Sequence, residues 1–259
     1  MKRRTERPDY ASIQVLDRVV LLLNTVAKAR EATLKVLALE TGLHTSTAFR
    51  ILAALDSHGL VARDDAGRYR LGPHLVRLGS AAQERLDIAR EARPILQALR
   101  DELQETVNLT MREGDEVVYV ERAVAGRAMR VEHVIGSRAP LHVTAVGKLF
   151  LGEAGTGECG RYARRSKLKA YTARTLRKAD DLTQAAQAAI RDGYALDNEE
   201  AEEGVGCIGV PVRDSSGRMV AALSVSAPIE RRRMEWVAVL KRAAAELSQR
   251  LGYAPAAGS

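Results

Sequence analysis

A single cysteine, Cys207, lies in a glycine-rich apolar run directly after an acidic segment, and its setting raises four chemical interpretations. The segment reads NEEAEEGVGCIGVPV, from residue 198 to residue 212. A thiol there could be a nucleophile if a base lowered its pKa, or a metal ligand if further ligands converged on it. It could also line a ligand pocket or fill the core. The rest of the sequence has to discriminate among these alternatives.

Support for catalysis or for a metal site is weak. No histidine lies within ten residues of Cys207, although His142 or His133 could approach it in the folded chain. Asp197 and the glutamates that follow it could ligate a metal, but such acidic runs are usually solvated loops. We therefore favour a pocket-lining Cys207, with core filling second. An enzyme that uses Cys207, Asp197 and His142 stays open as an alternative.

Composition excludes several other classes of protein. The chain has 259 residues, two cysteines without a C-x-x-C pair, and no apolar run long enough to span a membrane. The basic start is not followed by a signal-peptide apolar region, so we expect a cytoplasmic protein. The cysteine pattern argues against a structural zinc site, and no cofactor is expected. Of the net charge of +7, most lies in residues 1–80, which hold 13 Lys/Arg against 8 Asp/Glu. That distribution permits nucleic-acid binding by the N-terminal part.

The first eighty residues predict a helix-turn-helix. Apolar spacing predicts a helix over residues 13–30, followed by two short helices. Thr33 is a candidate N-cap for the first of these, Gly42 ends it, and Thr45 or Ser46 caps the second, which runs to about Ser57. Two helices joined by a tight glycine turn form this DNA-binding arrangement.

The second short helix and the hairpin after it carry the predicted DNA contacts. Phe49, Leu52, Ala53 and Leu55 supply the apolar face, while short hydroxyls and one arginine crowd the first turns. Such groups reach phosphates and base edges in the major groove. The run LVARDDAGRYRLG predicts a β-hairpin, which makes the domain a winged helix. The candidate DNA-binding residues are Thr45, Ser46, Thr47, Arg50, Arg63, Arg68 and Arg70.

The connecting segment predicts further helices and a dimer contact. Leu75, Leu78, Ala82 and Leu86 recur at spacings of three and four, a stripe that could pack on a second copy or on its own domain. Because helix-turn-helix proteins usually bind two half-sites, we favour dimerisation. Pro94 predicts the start of a new helix at that residue.

From Thr106 the pattern changes to that of an α+β domain with an antiparallel sheet of about six strands. Two helical segments, HVTAVGKLFLGE and DLTQAAQAAIRDG, interrupt the strands, and a final helix is predicted from about residue 231 to 251. Ser224 and Ser226 are two apart on the last strand and share a face, as do Val205 and Cys207. The predicted strands are TVNLTM, EVVYVERA, AMRVEHVI, GYALD, VGCIGVPVRD and RMVAALSVSAP.

Three ordered motifs resemble the IclR family of transcriptional regulators. GSRAPLHVTAVGK, from Gly136 to Lys148, is similar to the family signature G-x-R-x-P-L-H-x-T-A-x-G-K. GYALDNEEAEEGVGCIGVPV resembles its second signature, in which acidic residues precede G-x-x-C-I/L-A-x-P-V. TGLHTSTAFRILAALDSHGLV matches the N-terminal domain. The resemblance covers the chain from about Ser12 to Leu251.

The resemblance implies an N-terminal winged helix-turn-helix joined by a linker helix to a GAF-like α+β effector-binding domain. The expected boundaries are 1–12 for a flexible basic N-terminus, 13–75 for the DNA-binding domain, 76–93 for the linker helix, 94–253 for effector binding and oligomerisation, and 254–259 for a flexible tail. Backbone amides at a helix N-terminus would hold a carboxylate. By motif position, the effector-binding residues are Met129, Val131, Ala145, Val146, Asp197, Val205, Cys207, Ser224 and Ser226.

The implied function is a repressor or activator that senses a small organic acid or an aromatic catabolite. Its expected partners are double-stranded operator DNA, a small effector and further copies of itself, as a homodimer or a dimer of dimers. Relatives that bind very small acids often have Gly-Ala where this chain has Ala145-Val146. The effector is therefore not carried over from the family. A ligand-independent architectural DNA binder is a further alternative.

Overall fold

Two compact units make up the protein, and the chain divides between residues 86 and 87. The computed structural model describes residues 14–83, 87–131 and 133–254, with the side chains of residues 80–83 left out. The predicted N-terminal segment 1–12 lies outside the described residues. So does the predicted tail 254–259, apart from residue 254. No helix among the described ranges is long and apolar enough to cross a membrane.

The N-terminal unit is a winged helix-turn-helix, as predicted. Strands β2 and β3 form the wing, and the sheet has the order β1-β3-β2 with antiparallel pairing. The elements are α1 (Gln14–Ala29), β1 (Ala32–Thr33), α2 (Leu34–Thr41), α3 (Thr45–Ser57), β2 (Val61–Arg63) and β3 (Arg68–Leu71).

The core of this unit corrects the predicted apolar face of α3. Leu52 and Leu55 are buried with Ala48, at helical spacings of four and three. Phe49 is 47% exposed, and Ala53 is exposed too. Each of the two directly follows a buried residue, Ala48 or Leu52, and so lies about 100° further round the helix, outside the buried stripe.

Helix capping in this unit follows the prediction only in part. Gly42 ends α2 with a φ of 68°, in the left-handed region that glycine adopts without strain. Thr33 takes the N-cap position of α2, but its side chain makes no capping hydrogen bond. The predicted cap of α3 is wrong. Thr45 is already helical, and the ring of His44 accepts a hydrogen bond from the Ser46 amide instead.

The connector is made of two helices, α4 (Pro73–Gln83) and α5 (Ile88–Leu103). Pro94 was predicted to start a helix, and this is wrong. Helix α5 begins at Ile88, directly after its N-cap Asp87, and continues through the proline. The missing proline N–H costs one backbone hydrogen bond, but the buried face of α5 holds the helix against the sheet. Of the predicted stripe, Leu78 is 53% exposed, while the Ala82 side chain and Leu86 lie outside the described residues.

The second unit is built on the predicted antiparallel sheet of six strands, in the order β6-β5-β4-β9-β8-β7. The run AMRVEHVI was predicted as a strand, but its described residues form no strand and lie between β5 and β6. Arg138–Pro140 occupies the edge of β5 in its place. The strands are β4 (Thr106–Glu113), β5 (Glu116–Ala123), β6 (Arg138–Pro140), β7 (Ala195–Asn198), β8 (Val205–Arg213) and β9 (Met219–Pro228).

Helices cover both faces of this sheet, and the period of two along each strand sorts the side chains. Ile208, Val210 and Val212 of β8 pack with α5 and α9. Cys207 lies on the opposite face, with α6, α7 and α8. The helices are α6 (Ala145–Ala154), α7 (Thr156–Ser166), α8 (Ala179–Asp192) and α9 (Trp236–Arg250). Helix α7 was not predicted, and α9 begins five residues later than expected, after a 3₁₀ turn at Ile229–Arg231.

Candidate functional site

A small cavity of about 60 Å³ lies between the sheet and the N-terminus of α6. The structure brings seven of the nine predicted effector residues together around it: Ala145, Val146, Asp197, Val205, Cys207, Ser224 and Ser226. Larger depressions exist, such as the groove between α5 and α9, but the charged groups there are largely paired with one another. The cavity under α6 is where unpaired donors and a buried carboxyl converge.

The other two predicted effector residues are not at the cavity. Met129 is 71% exposed, and its carbonyl accepts a hydrogen bond of 2.9 Å from Arg231. Val131 is half-buried but does not line the cavity. Both were placed on a hairpin strand that the chain does not form, and the loop found there instead directs His133 to the cavity.

The N-terminus of α6 lies at one end of the cavity. Thr144 caps the helix, and its hydroxyl accepts the Gly147 amide at 3.0 Å. Ala145 and Val146 supply first-turn amides, which have no acceptor within the helix. Because the helix dipole adds partial positive charge at this point, a carboxylate is the ligand group that this end of the cavity favours.

Gly209 of β8 lets the strand approach this helix end closely. A Cβ there would lie 2.9 Å from Val146 Cγ1 and 3.2 Å from the Val146 amide nitrogen. The missing side chain at Gly209 therefore leaves room for the side chain of Val146.

Cys207 lies on the cavity wall as a thiol held by its neighbours. It pairs with Ser226 across the β8–β9 ladder, and its Sγ donates to the serine Oγ at 3.3 Å. Asn108 donates to the same oxygen at 3.3 Å. Burial, followed by the charge of Asp197, raises the pKa of Cys207 far above its ordinary value. The thiolate that a nucleophile or a metal ligand requires is thus disfavoured.

His142 is not placed to act as a base for Cys207. It is buried outside the cavity, where Nδ1 meets the Tyr162 hydroxyl at 2.7 Å and Nε2 meets the Lys169 carbonyl at 3.0 Å. Burial lowers the pKa of the imidazole. With both ring nitrogens occupied, His142 links α7 and the following loop to the start of α6.

Asp197 supplies the cavity with a buried carboxyl. Its side chain is almost fully buried and accepts the Glu200 amide at 2.8 Å. Burial is the largest influence and raises the pKa of Asp197 to about 6, although the hydrogen bond from Glu200 opposes it. Near neutral pH this carboxylate repels an anionic ligand, so the carboxylate of an acid is directed to the other end of the cavity, at α6.

Asp197→Asn is expected to remove a pH-dependent loss of stability. Because the folded-state pKa of about 6 lies above the ordinary value of 3.8, ionisation costs stability as the pH rises between these values, by up to about 3 kcal/mol. Above about pH 6 the cost is complete. Urea unfolding of both proteins from pH 4 to pH 8 should show the advantage of the variant growing and then levelling off. If the difference in free energy of unfolding between the two proteins does not change with pH, the raised pKa of Asp197 is contradicted.

Sequence reasoning missed six residues that line the cavity. Thr144 stands inside the first family motif, and its capping position could have identified it. Tyr119 carries no motif, and its face of the sheet depends on a β-bulge between β4 and β5, where the register shifts after Leu109. The missed residues are Tyr119, His133, Ala139, Thr144, Ala201 and Glu202.

The N-terminal unit presents the predicted DNA-binding residues in two groups. Thr45, Ser46 and Arg50 are exposed on the first turns of α3, and Thr47 is half-buried beside them. Exposed arginines also stand on the wing. Arg70 has no acidic partner among the described residues, whereas Arg63 lies over the ring of Tyr69, 5.7 Å from its centroid. Arg68 pairs with Glu31 and Asp64, so it is less available to DNA.

Arg50→Ala is expected to weaken operator binding by about 1–3 kcal/mol, if the guanidinium reads a guanine. The loss should be confined to specific DNA, because base contacts carry sequence information. Arg70→Ala is the matched control. It should weaken binding to operator and scrambled DNA alike and lower the salt dependence by about one charge. Fluorescence anisotropy on both fragments tests this, and an Arg50→Ala protein that binds operator like wild type contradicts it.

Comparison with known proteins identifies both units. The description "IclR helix-turn-helix domain" matches residues 15–65, and "Bacterial transcriptional regulator IclR C-terminal" matches residues 80–250. The HTH-type transcriptional regulator KdgR of Dickeya chrysanthemi is 32% identical over 253 residues, covering 96% of this chain and 82% of the relative.

Solved structures agree with these matches. The repressor BlcR of Agobacterium tumefaciens is 32% identical, with a TM-score of 0.76 over 95% of this chain and 100% of that chain. IclR of Thermotoga maritima is 29% identical, with a TM-score of 0.61 over 93% of this chain and 100% of that chain. The fold is thus shared along nearly the whole length of both proteins.

Proposed function

The chain belongs to the IclR family of bacterial transcriptional regulators, and on that premise we propose that it senses a small carboxylic acid in the cavity under α6. It is a ligand-responsive, DNA-binding regulator, and its relatives are transcriptional regulators. The observation that carries the proposal is the convergence of free helix amides with buried hydroxyls and one buried carboxyl at a single cavity. The enzyme alternative lacks support, because the Cys207 thiol and His142 are not arranged for catalysis.

The size of the cavity favours an aliphatic acid over an aromatic catabolite. A volume of about 60 Å³ accommodates roughly four to six water-sized groups. An acid of two or three carbons has about that number of heavy atoms, whereas a benzoate-sized ligand has about nine. We expect the carboxylate at the amides of Ala145 and Val146, and the rest of the molecule against Cys207 and the two serines.

The protein is proposed to bind DNA as a homodimer or a dimer of dimers in the cytoplasm. Two winged helices are needed to read the two halves of a pseudo-palindromic operator. Exposed apolar side chains on α1 and α4 support an association between copies: Val15, Leu16, Val20, Val76 and Leu78 are all more than half exposed. Surface of that kind typically marks a contact with another protein chain.

Fluorescence anisotropy on the DNA upstream of the protein's own gene tests the regulatory function. At equal salt, the full chain should prefer that fragment over a scrambled one by about a hundredfold or more, within the range of specific regulators. Equal affinity for both fragments, with a strong salt dependence, would instead support an architectural DNA binder. The upstream fragment also supplies the assay with which acids can be compared.

A further inference from the structure

The segment from residue 161 to residue 178 concentrates positive charge on the second unit. It contains eight lysines and arginines and no acidic residue. Outside it, residues 87–259 hold 18 Lys/Arg against 24 Asp/Glu, so the rest of this unit has a net negative charge. The net charge of the protein does not account for such a cationic segment, which is typical of a surface that binds an anionic partner.

All eight cations are exposed, and ion pairs within the described part of the chain neutralise three of them. Arg161 and Arg165 pair with Glu158. Arg174 pairs with Glu199. The two aspartates that directly follow the segment form no ion pair with it. The five remaining side chains, which we call the cationic surface, are Arg164, Lys167, Lys169, Arg177 and Lys178.

The backbone that carries the cationic surface is anchored to the fold. It runs from the last turn of α7 to the start of α8, and these two helices pack in one core cluster. Between them, Leu168 and Thr175 are buried. The Thr175 hydroxyl donates to the Glu200 carbonyl at 2.8 Å, and the Thr172 hydroxyl donates to the Glu199 carbonyl at 2.7 Å. Because the loop is already ordered, a partner that binds it loses little free energy to the ordering of its backbone.

The chemistry of the cationic surface favours the phosphates of duplex DNA over a protein or a membrane. In this fully described segment, Tyr171 is the one large apolar or aromatic side chain that is exposed, at 46%. Nζ of Lys169 lies 5.5 Å from the centroid of its ring. A protein interface has an apolar core, and a membrane-bound helix has an apolar face. Phosphate oxygens require only positive charge and hydrogen-bond donors.

We propose that the cationic surface is a second DNA contact of this protein, in which the second unit neutralises phosphates of the duplex backbone. Such a contact carries no sequence information, because the backbone is the same for every sequence. It adds affinity and salt dependence to the binding by the winged helix, which supplies the specificity. The contact does not depend on an acid in the α6 cavity.

A triple variant of the full chain, Arg164→Gln with Lys167→Gln and Arg177→Gln, tests this contact. Fluorescence anisotropy on the upstream and scrambled fragments, between about 50 and 200 mM salt, measures the affinity and its salt dependence. The slope of log K against log salt should fall by about two to three, since up to three phosphate contacts are lost. Affinity near 50 mM salt should fall about tenfold or more on both fragments alike.

The matched control removes the same three charges from elsewhere on the second unit. It is Arg90→Gln with Arg127→Gln and Arg233→Gln, three exposed arginines that pair with no acidic side chain among the described residues. This control should keep the wild-type affinity and salt dependence. Both triple variants should unfold in urea like wild type, because the substituted side chains are exposed and form no ion pair.

Three results would overturn the proposal. Equal losses in the two triple variants would show that net charge acts, rather than this surface. A loss confined to the upstream fragment would contradict a contact with the backbone, which cannot distinguish sequences. If the surface variant keeps the wild-type affinity and salt dependence on both fragments, the cationic surface does not contact DNA, and an acidic protein becomes the partner to examine. In that last case the regulatory function of the winged helix still stands.

Discussion

Lys148→Met is expected to lower the free energy of unfolding by about 3–5 kcal/mol, because it leaves a buried carboxylate without its partner. Lys148 and Glu200 are each about 95% buried as side chains, and Nζ lies 2.5 Å from the glutamate Oε1. The same ammonium donates to the Leu196 carbonyl at 2.7 Å. It thus joins α6 to β7, the edge strand that carries Asp197. Chemical denaturation with urea measures the loss.

A double variant separates this pair from simple loss of packing. Lys148→Met with Glu200→Gln removes both charges, and replacing a whole buried pair is often close to neutral. The double variant should therefore recover most of the lost stability, to within about 1.5 kcal/mol of wild type. If the double variant is less stable than Lys148→Met alone, the stranded charge is not the cause. If the free energy of unfolding of the Lys148→Met protein lies within about 1 kcal/mol of wild type, the ion pair of Lys148 with Glu200 does not stabilise the fold as expected.

The second large effect is expected from Gly147→Ala, at about 3 kcal/mol of lost stability. A Cβ at this position would lie 2.1 Å from the Leu141 carbonyl oxygen and 2.4 Å from the Leu141 Cα. These are backbone atoms, so no side-chain rotation relieves the overlap. The first turn of α6 must shift, and with it the amides of Ala145 and Val146. We therefore expect acid binding to be lost together with stability.

Gly157→Ala is the matched control for this variant. Gly157 also lies in a helix, α7, but its added Cβ would meet only the guanidinium end of Arg161, at 3.5 Å. Alanine favours a helix over glycine by roughly 0.5–1 kcal/mol, so this variant should equal or exceed wild-type stability. Thermal and urea unfolding of the two variants side by side test the difference. If the two variants have equal free energies of unfolding, the overlap expected at Gly147 does not destabilise the protein.

Local patterns were enough to predict the winged helix and most of the sheet. Each predicted strand that the structure confirms has either alternating polar and apolar residues or an apolar run bounded by turn residues. Strands β8 and β9, with DSSG between them, are an example. The pairing of Cys207 with Ser226 then follows from the register of that hairpin. Ser224 and Ser226 reach the cavity face for the same reason.

The predictions that failed depended on tertiary contacts that a sequence pattern does not contain. Pro94 is tolerated inside α5 because the buried face of that helix, with Ile95 and Leu99, is fixed on the sheet. The run from residue 128 to 135 alternates like a strand, yet Arg138–Pro140 pairs with β5 instead. Tyr119 reaches the cavity through a bulge in β5, since the register shift reverses which residues share a face. None of these three outcomes has a local signal.

A small acid in the α6 cavity is expected to change the affinity of the winged helix for its operator. The most direct measurement is operator affinity by fluorescence anisotropy, without acid and with the best-binding acid of two or three carbons at saturation. Benzoate at the same concentration controls for ionic strength, because the proposed function expects a smaller acid in a cavity of about 60 Å³. The account predicts a change of about 5–150-fold with the small acid and none with benzoate. An acid that binds the protein yet leaves operator affinity unchanged would contradict it.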